Sequence, residues 1–114
     1  MIDWQIKPFS QLSLDALYDL LKARSDVFVV EQTCIYADMD DIDKDPTTFH
    51  LYGYQHRDLV GTCRILAPGR VYENQSAIGR VLITKTYRDQ GLATTVTDMY
   101  LEDDIPHIGM VLSF

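Results

Sequence analysis

Several things are scarce in this sequence, and each shortage excludes something. No apolar run approaches the roughly 20 residues that cross a bilayer, so a membrane-spanning helix is not expected. There are two cysteines, Cys34 and Cys63, far apart and without a CxxC partner. Reduced, buried thiols are therefore expected ahead of a disulfide or a metal site. Positive charge is in short supply: 10 Lys and Arg against 17 Asp and Glu leave a formal net charge of −7. Nucleic acid and anionic membrane both call for a basic surface, so neither is an expected partner. A cationic substrate such as an amine is compatible with that charge, as is simple solubility. No basic region followed by an apolar stretch opens the chain, so no secretory leader is expected and the cytoplasm is the expected location. Internal repeats, low-complexity tracts and linkers are lacking, and no Ser/His/Asp order or metal-ligand spacing stands out.

What remains suffices for one small domain. The 114 residues, 46% of them hydrophobic, can bury a single core with little to spare, so 1–114 is read as one unit. Residues 4–9 alternate as a first strand should. Ser10 or Ser13 can cap a helix running through Leu14, Leu17, Leu20, Leu21, Val27 and Phe28, which share one face at helical spacing. Asp15 suits its first turn, and Val29-Val30 weakens its end. Residues 50–55 and 59–66 read as two strands joined by His56-Arg57-Asp58 into a hairpin. Pro68-Gly69 ends the second, and 77–84 is a further strand rich in Val, Leu and Ile. Residues 94–101 and 107–114 read as a last hairpin around a turn at 102–106. The expected class is α+β, with a mostly antiparallel sheet, an N-terminal helix and a terminal β-hairpin.

Between helix and hairpin lies "DMDDIDKD", residues 38–45. It superficially suggests a calcium loop, but Ile42 takes the third ligand position, no glycine makes the sharp turn and no Glu closes the site. A solvated acidic loop is the expectation, with attraction of a cationic substrate as the other reading. Glu31 follows the apolar helix face and precedes this loop. It is a candidate general base at a cleft edge, or simply a solvated helix-end residue. Arg64, on a central strand, should pair with a carboxylate such as Asp40 or Glu31. His50 reads as a hydrogen-bonded structural residue rather than a base, and His107 as part of a turn.

Arg88-Asp89-Gln90-Gly91-Leu92-Ala93 has the form R-x-x-G-x-A directly after an apolar strand. Gly91 lets backbone approach an anion without a Cβ in the way. Successive N–H groups in such a turn can face one concavity and hold phosphate oxygens, and a following helix would add its dipole. The six-residue pattern alone is weak.

In its longer context the stretch is specific. "AIGRVLITKTYRDQGLA" resembles motif A of the GNAT acyltransferases. "LYDLLKARSDVFVVEQTCIYADMDDID", "HLYGY", "LVGTCRILAPG" and "YLEDDIPHIGM" resemble the N-terminal helices and acidic loop, the central strands and the last hairpin of the ElaA-like subfamily. The resemblance covers nearly the whole chain, in order. It implies acetyl transfer from acetyl-CoA to an amine by direct attack. It also implies that the backbone of Val81, Leu82 and Ile83 pairs with the pantetheine arm and that Arg88, Asp89, Gln90, Gly91, Leu92 and Ala93 receive the pyrophosphate. The tyrosine that often protonates the leaving thiolate has no counterpart at its motif position, and neither Tyr87 nor Tyr100 takes its role. In the family the turn opens a long helix, and a few dozen residues intervene before the last hairpin. Here the two nearly touch, with the junction between Gln90 and Val96. The intervening segment is either deleted from the chain or missing from the sequence as read. Such a gap implies an exposed apolar patch at Val81 and Ile83, and a homodimer through 94–114. Two functions follow: an acetyl-CoA-dependent N-acyltransferase, or a catalytically inactive binding or interaction protein derived from one.

Overall fold

The computed structural model describes residues 1–33, 35–70, 73, 75–88 and 90–92, together with the backbone of Met110–Leu112. Period-two alternation builds the sheet. In β2, Phe49–Gln55, Leu51 is fully buried with Cys63, Ile65 and Ile78, while Tyr52 packs with Ala16 and Leu20. β1 spans Asp3–Pro8, β3 Asp58–Leu66, β4 Ser76–Ile83 and β5 Met110–Leu112. They lie in the order β1-β2-β3-β4-β5. The first four are antiparallel neighbours, and β5 runs parallel to β4.

The hairpin between β2 and β3 is tighter than the sequence suggests. Gln55 pairs with Asp58 across a two-residue turn, in which His56 takes a φ of 58°. A positive φ at the first central residue is what the twist of a tight hairpin favours. Of the expected terminal hairpin, 94–114, only Met110–Leu112 lies within the described residues, and the rest of that reading lies outside them.

The helix α1, Leu14–Arg24, starts where expected, with the Ser13 hydroxyl accepting from the Ala16 N–H at 3.1 Å. It then widens into a π-helical segment over Ser25–Glu31, and the Gln32 N–H donates to the Val27 carbonyl five residues back. Val27, Val29 and Val30 are stiff at χ1 and crowd a regular helical turn, which is the physical reason for the change of register. Ala16, Leu20, Ala23, Val27 and Phe28 form the buried face, set against Tyr52 and Leu82 of the sheet. Leu14, expected on that face, is 85% exposed, and Ala16 takes the buried position in the first helical turn. Arg24 takes a buried position instead.

β4 carries a bulge. Thr62 pairs with Leu82 and Arg64 with Gly79, so β4 holds one extra residue opposite Cys63. Arg80, inside the bulge, has a φ of 52°. The extra residue returns Val81 and Ile83 to the face of Ile78, where both pack against the core. This corrects the expectation of an exposed patch at Val81 and Ile83: both are half-buried. The two strands approach closely at Gly61, where a Cβ would sit 2.7 Å from Ile83 Cδ1 and 2.9 Å from the Leu82 carbonyl oxygen.

Candidate functional site

The outer edge of β4 changes character along its length. Among the described residues it pairs with β5 only over Ser76–Ile78. Gly79 to Ile83 has no strand neighbour on that side among the described residues. The strand then runs into Thr84, whose hydroxyl donates to the Leu59 carbonyl at 2.9 Å and whose N–H donates to Val60. A short 3-10 turn, Lys85–Tyr87, leads to Arg88. Gly91 follows with a φ of 73°, in the left-handed region. A Cβ there would meet nothing within 4 Å among the described residues, and the left-handed backbone by itself favours glycine. Leu92 is helical, while Asp89 and Ala93, both named in the sequence reading, lie outside the described residues.

Arg88 and Glu31 are brought together from distant parts of the chain. Arg88 Nη1 lies 2.8 Å from Glu31 Oε2, and Nη2 donates to Oε1 at 3.1 Å. Arg88 Nε donates to the Ile83 carbonyl at 2.9 Å. The guanidinium beside Glu31 holds its carboxyl below the ordinary glutamate range. Glu31 also lines an open cleft of about 380 Å³, whose charged residues are Asp19, Lys22, Asp26, Arg57, Asp58 and Lys85, with Tyr87 at its side. The Tyr87 hydroxyl donates to Asp58 at 3.2 Å.

The acidic loop is not the solvated segment expected. Asp38 and Asp43 are buried, and they hold three arginines with Asp40. Arg24 Nε donates to Asp38 at 2.9 Å and Arg24 Nη1 to Asp43 at 2.8 Å. Arg64 Nη1 reaches Asp40 at 2.7 Å and Asp43 at 3.1 Å. Arg80 Nε donates to Asp38 at 2.8 Å, and its guanidinium lies 5.4 Å from the centre of the Tyr36 ring. Arg64 therefore pairs with Asp40 as expected, whereas Glu31 belongs to Arg88. The loop carboxylates neutralise buried arginines, which costs less than leaving either charge unpaired. Sequence reading missed Arg24 and Arg80. The signal for Arg24 was its spacing, four residues after Leu20 and three before Val27, on the apolar face.

His50 is structural, as expected: its Nε2 lies 3.0 Å from the Asp43 carbonyl, and burial holds its pKa below the ordinary imidazole value. Cys63 is a free, buried thiol, its pKa pushed up to about 12 by desolvation. It is therefore chemically quiet.

The profile of the acetyltransferase (GNAT) family matches residues 14–105. The chain belongs to this family. It is 34% identical over 147 aligned residues to protein ElaA of Escherichia coli K12, covering 96% of this chain and 95% of that protein. Among solved structures, E. coli ElaA superimposes with a TM-score of 0.83 at 36% identity, over 90% of this chain and 69% of that one. An acyl-CoA N-acyltransferase from Pseudomonas aeruginosa gives a TM-score of 0.83 at 38% identity, with the same two coverages. The α+β architecture is thus that of a partial GNAT fold. Within this GNAT domain, Val81, Leu82 and Ile83 stand on the bulged strand, and Arg88, Gln90, Gly91 and Leu92 in the turn that follows it. Glu31 joins the two regions through Arg88.

Proposed function

We propose that this GNAT chain transfers an acetyl group from acetyl-CoA to a cationic amine. The observation that carries the reading is the edge of β4. Beyond Ile78 it has no strand neighbour among the described residues, and it ends in the left-handed Gly91 turn beside Arg88. An edge of this kind offers backbone N–H and C=O groups to an extended, amide-bearing ligand. A glycine turn with a guanidinium beside it suits a diphosphate. In this reading Val81, Leu82 and Ile83 hold the pantetheine arm, and Arg88, Asp89, Gln90, Gly91, Leu92 and Ala93 receive the pyrophosphate. Acetyl-CoA supplies the activated thioester. The cleft carboxylates of Asp19, Asp26 and Asp58, which with Glu31 outnumber the cations Lys22, Arg57 and Lys85, draw in the ammonium group, and Glu31 is the candidate that takes its proton. The Pseudomonas acyl-CoA N-acyltransferase supports the donor class; the acceptor is inferred from cleft charge alone.

A thiol-release assay against polyamines, aminoglycosides and lysine peptides tests this. Release of CoA with at least one amine, lost in Glu31→Gln, is the expected outcome. No release with any amine overturns it.

One observation favours a second reading, a GNAT-derived binding protein without turnover. The alignment with E. coli ElaA runs over 147 positions, more than the 114 residues of this chain, while nearly spanning both proteins. We infer an internal deletion near the turn. It would remove one wall of the pantetheine cleft, whose apolar contacts contribute ~25 cal/mol per Å². Under this reading calorimetry gives acetyl-CoA binding at millimolar strength or weaker. An intact mass equal to that of 114 residues, with peptides spanning Gln90 to Val96, checks the deletion itself.

We also propose a homodimer, joined through 94–114 or through the edge of β4, since a strand edge that has no neighbour among the described residues beyond Ile78 is a template for a second copy. A stable, folded monomer in sedimentation at low micromolar concentration would overturn this. The cytoplasm remains the proposed location; among the described residues no helix is long and apolar enough to cross a membrane.

A further inference from the structure

Glu31 meets Arg88 as an anionic ligand would. Its two oxygens take Nη1 at 2.8 Å and Nη2 at 3.1 Å, the two-pronged contact that a guanidinium also makes with phosphate. The Nε edge of Arg88 is anchored on the Ile83 carbonyl, so the guanidinium is fixed at the end of β4, beside the turn. The pair is open to solvent, with side-chain exposures of 35% for Arg88 and 37% for Glu31. An anion arriving from solution can reach both. Glu31 comes from the end of the π-helical segment, an element separate from the strand and turn. Its contact with Arg88 can therefore open by side-chain rotation without disturbing the sheet.

We propose that Glu31 is a built-in counter-anion, seated on Arg88 until the diphosphate of the acyl-CoA displaces it. The inference rests on reading the Gly91 turn as the diphosphate site. It gives Glu31 two effects of opposite sign. While seated, the carboxylate competes for Arg88 and repels the incoming anion, so it weakens donor binding. Once displaced, it is released into the cleft that it shares with Asp19, Asp26 and Asp58, where it adds negative charge facing the ammonium acceptor. Donor binding then raises affinity for the acceptor, and by linkage the acceptor raises affinity for the donor.

The test measures CoA and inorganic pyrophosphate binding by calorimetry for the full chain, Glu31→Gln, Arg88→Ala and the double variant. Circular dichroism first establishes that each is folded. Glu31→Gln should bind both probes more tightly, by roughly two- to ten-fold, since an exposed ion pair and one like charge are removed. Arg88→Ala should bind both more weakly, and the double variant should exceed Arg88→Ala only by the smaller gain that loss of one like charge gives. Glu31→Asp, which keeps the charge on a shorter arm, should fall between the full chain and Glu31→Gln. Unchanged or weaker binding in Glu31→Gln overturns the proposal while leaving the cofactor reading intact. So does a gain of the same size in the Arg88→Ala background, which would mark a general charge effect. If none of the five chains binds either probe, the cofactor reading fails and this proposal fails with it.

Discussion

A buried set of arginine–carboxylate pairs and an exposed one in this molecule are equally short at their nearest contacts. Arg24 meets Asp43 at 2.8 Å and Arg88 meets Glu31 at 2.8 Å. Their surroundings differ: the side chains of Arg24 and Asp43 are 3% and 7% exposed, those of Arg88 and Glu31 about a third. Distance therefore says little about consequence. A buried charge has lost its water and depends on its partner, whereas an exposed one exchanges its partner for water or a ligand at small cost. The first set fastens the acidic loop to the helix and central strands. The second stands at the edge of the cleft that Glu31 lines, where the proposed exchange would take place.

The largest test of this contrast is Asp43→Ala. Asp43 accepts from both Arg24 and Arg64, so its loss leaves two buried guanidinium groups each with one carboxylate instead of two, Asp38 for Arg24 and Asp40 for Arg64. Destabilisation of about 1.5–3 kcal/mol is expected, as for lost hydrogen bonds to charged groups, out of the ~5–15 kcal/mol available to a typical domain. Urea denaturation measures it. Combining Arg24→Met with Asp43→Leu should recover part of the loss, because a buried charge is removed with its partner, Asp38 keeps Arg80, and apolar volume fills the space. A loss below about 1 kcal/mol for Asp43→Ala would make the buried network no more important than a surface pair.

These two regions were also unequally legible in the sequence. Ser13, the alternation through β2 and β3, and the R-x-x-G-x-A turn after β4 each follow a local rule, so cap, strands and turn could be placed directly. The ion network obeys no local rule. Asp38 and Asp43 sit in a stretch whose composition reads as solvated, and only the fold brings Arg24, Arg64 and Arg80 beneath them. The bulge at Arg80 was equally hidden, since a non-glycine residue in the left-handed region is set by register against β3 rather than by its own preference. The Glu31–Arg88 contact joins residues from two distant segments, and neither segment announces the other.

An intermediate effect is expected from acid. Burial lowers the pKa of His50, so the unfolded imidazole, near ~6.5, takes up a proton before the folded one. The stability that neutral His50 contributes is complete above that value and is lost as pH falls through the depressed folded value. Asp40 is held below the ordinary aspartate range by its hydrogen bond from Arg64. Its contribution is present above ~3.9 and is lost as pH falls below it. Thermal melts should therefore show a decline of a few degrees in Tm between neutral and mildly acidic pH, then a second decline under stronger acid. His50→Gln, whose amide can still donate to the Asp43 carbonyl, should remove the first decline and leave the second. A first decline that persists in His50→Gln would assign it elsewhere.

The smallest expected effect is the sharpest test of the comparison. If the Glu31–Arg88 pair is as exchangeable as its exposure implies, removing it should scarcely disturb the fold. Glu31→Gln and Arg88→Gln should each shift Tm by less than about 2 °C. That residual shift should shrink further in molar salt, because exposed charges are screened within a few ångströms at such ionic strength. The buried network should respond otherwise, since salt does not reach Arg24, and the loss in Asp43→Ala should persist when salt is raised. Differential scanning calorimetry of the three variants at low and high salt makes the comparison directly. A large, salt-resistant loss of Tm in Glu31→Gln would mean that the pair fastens the π-helical segment to the end of β4. Glu31 would then be structural, and its displacement by an anion would carry a cost in folding that the proposed exchange does not allow.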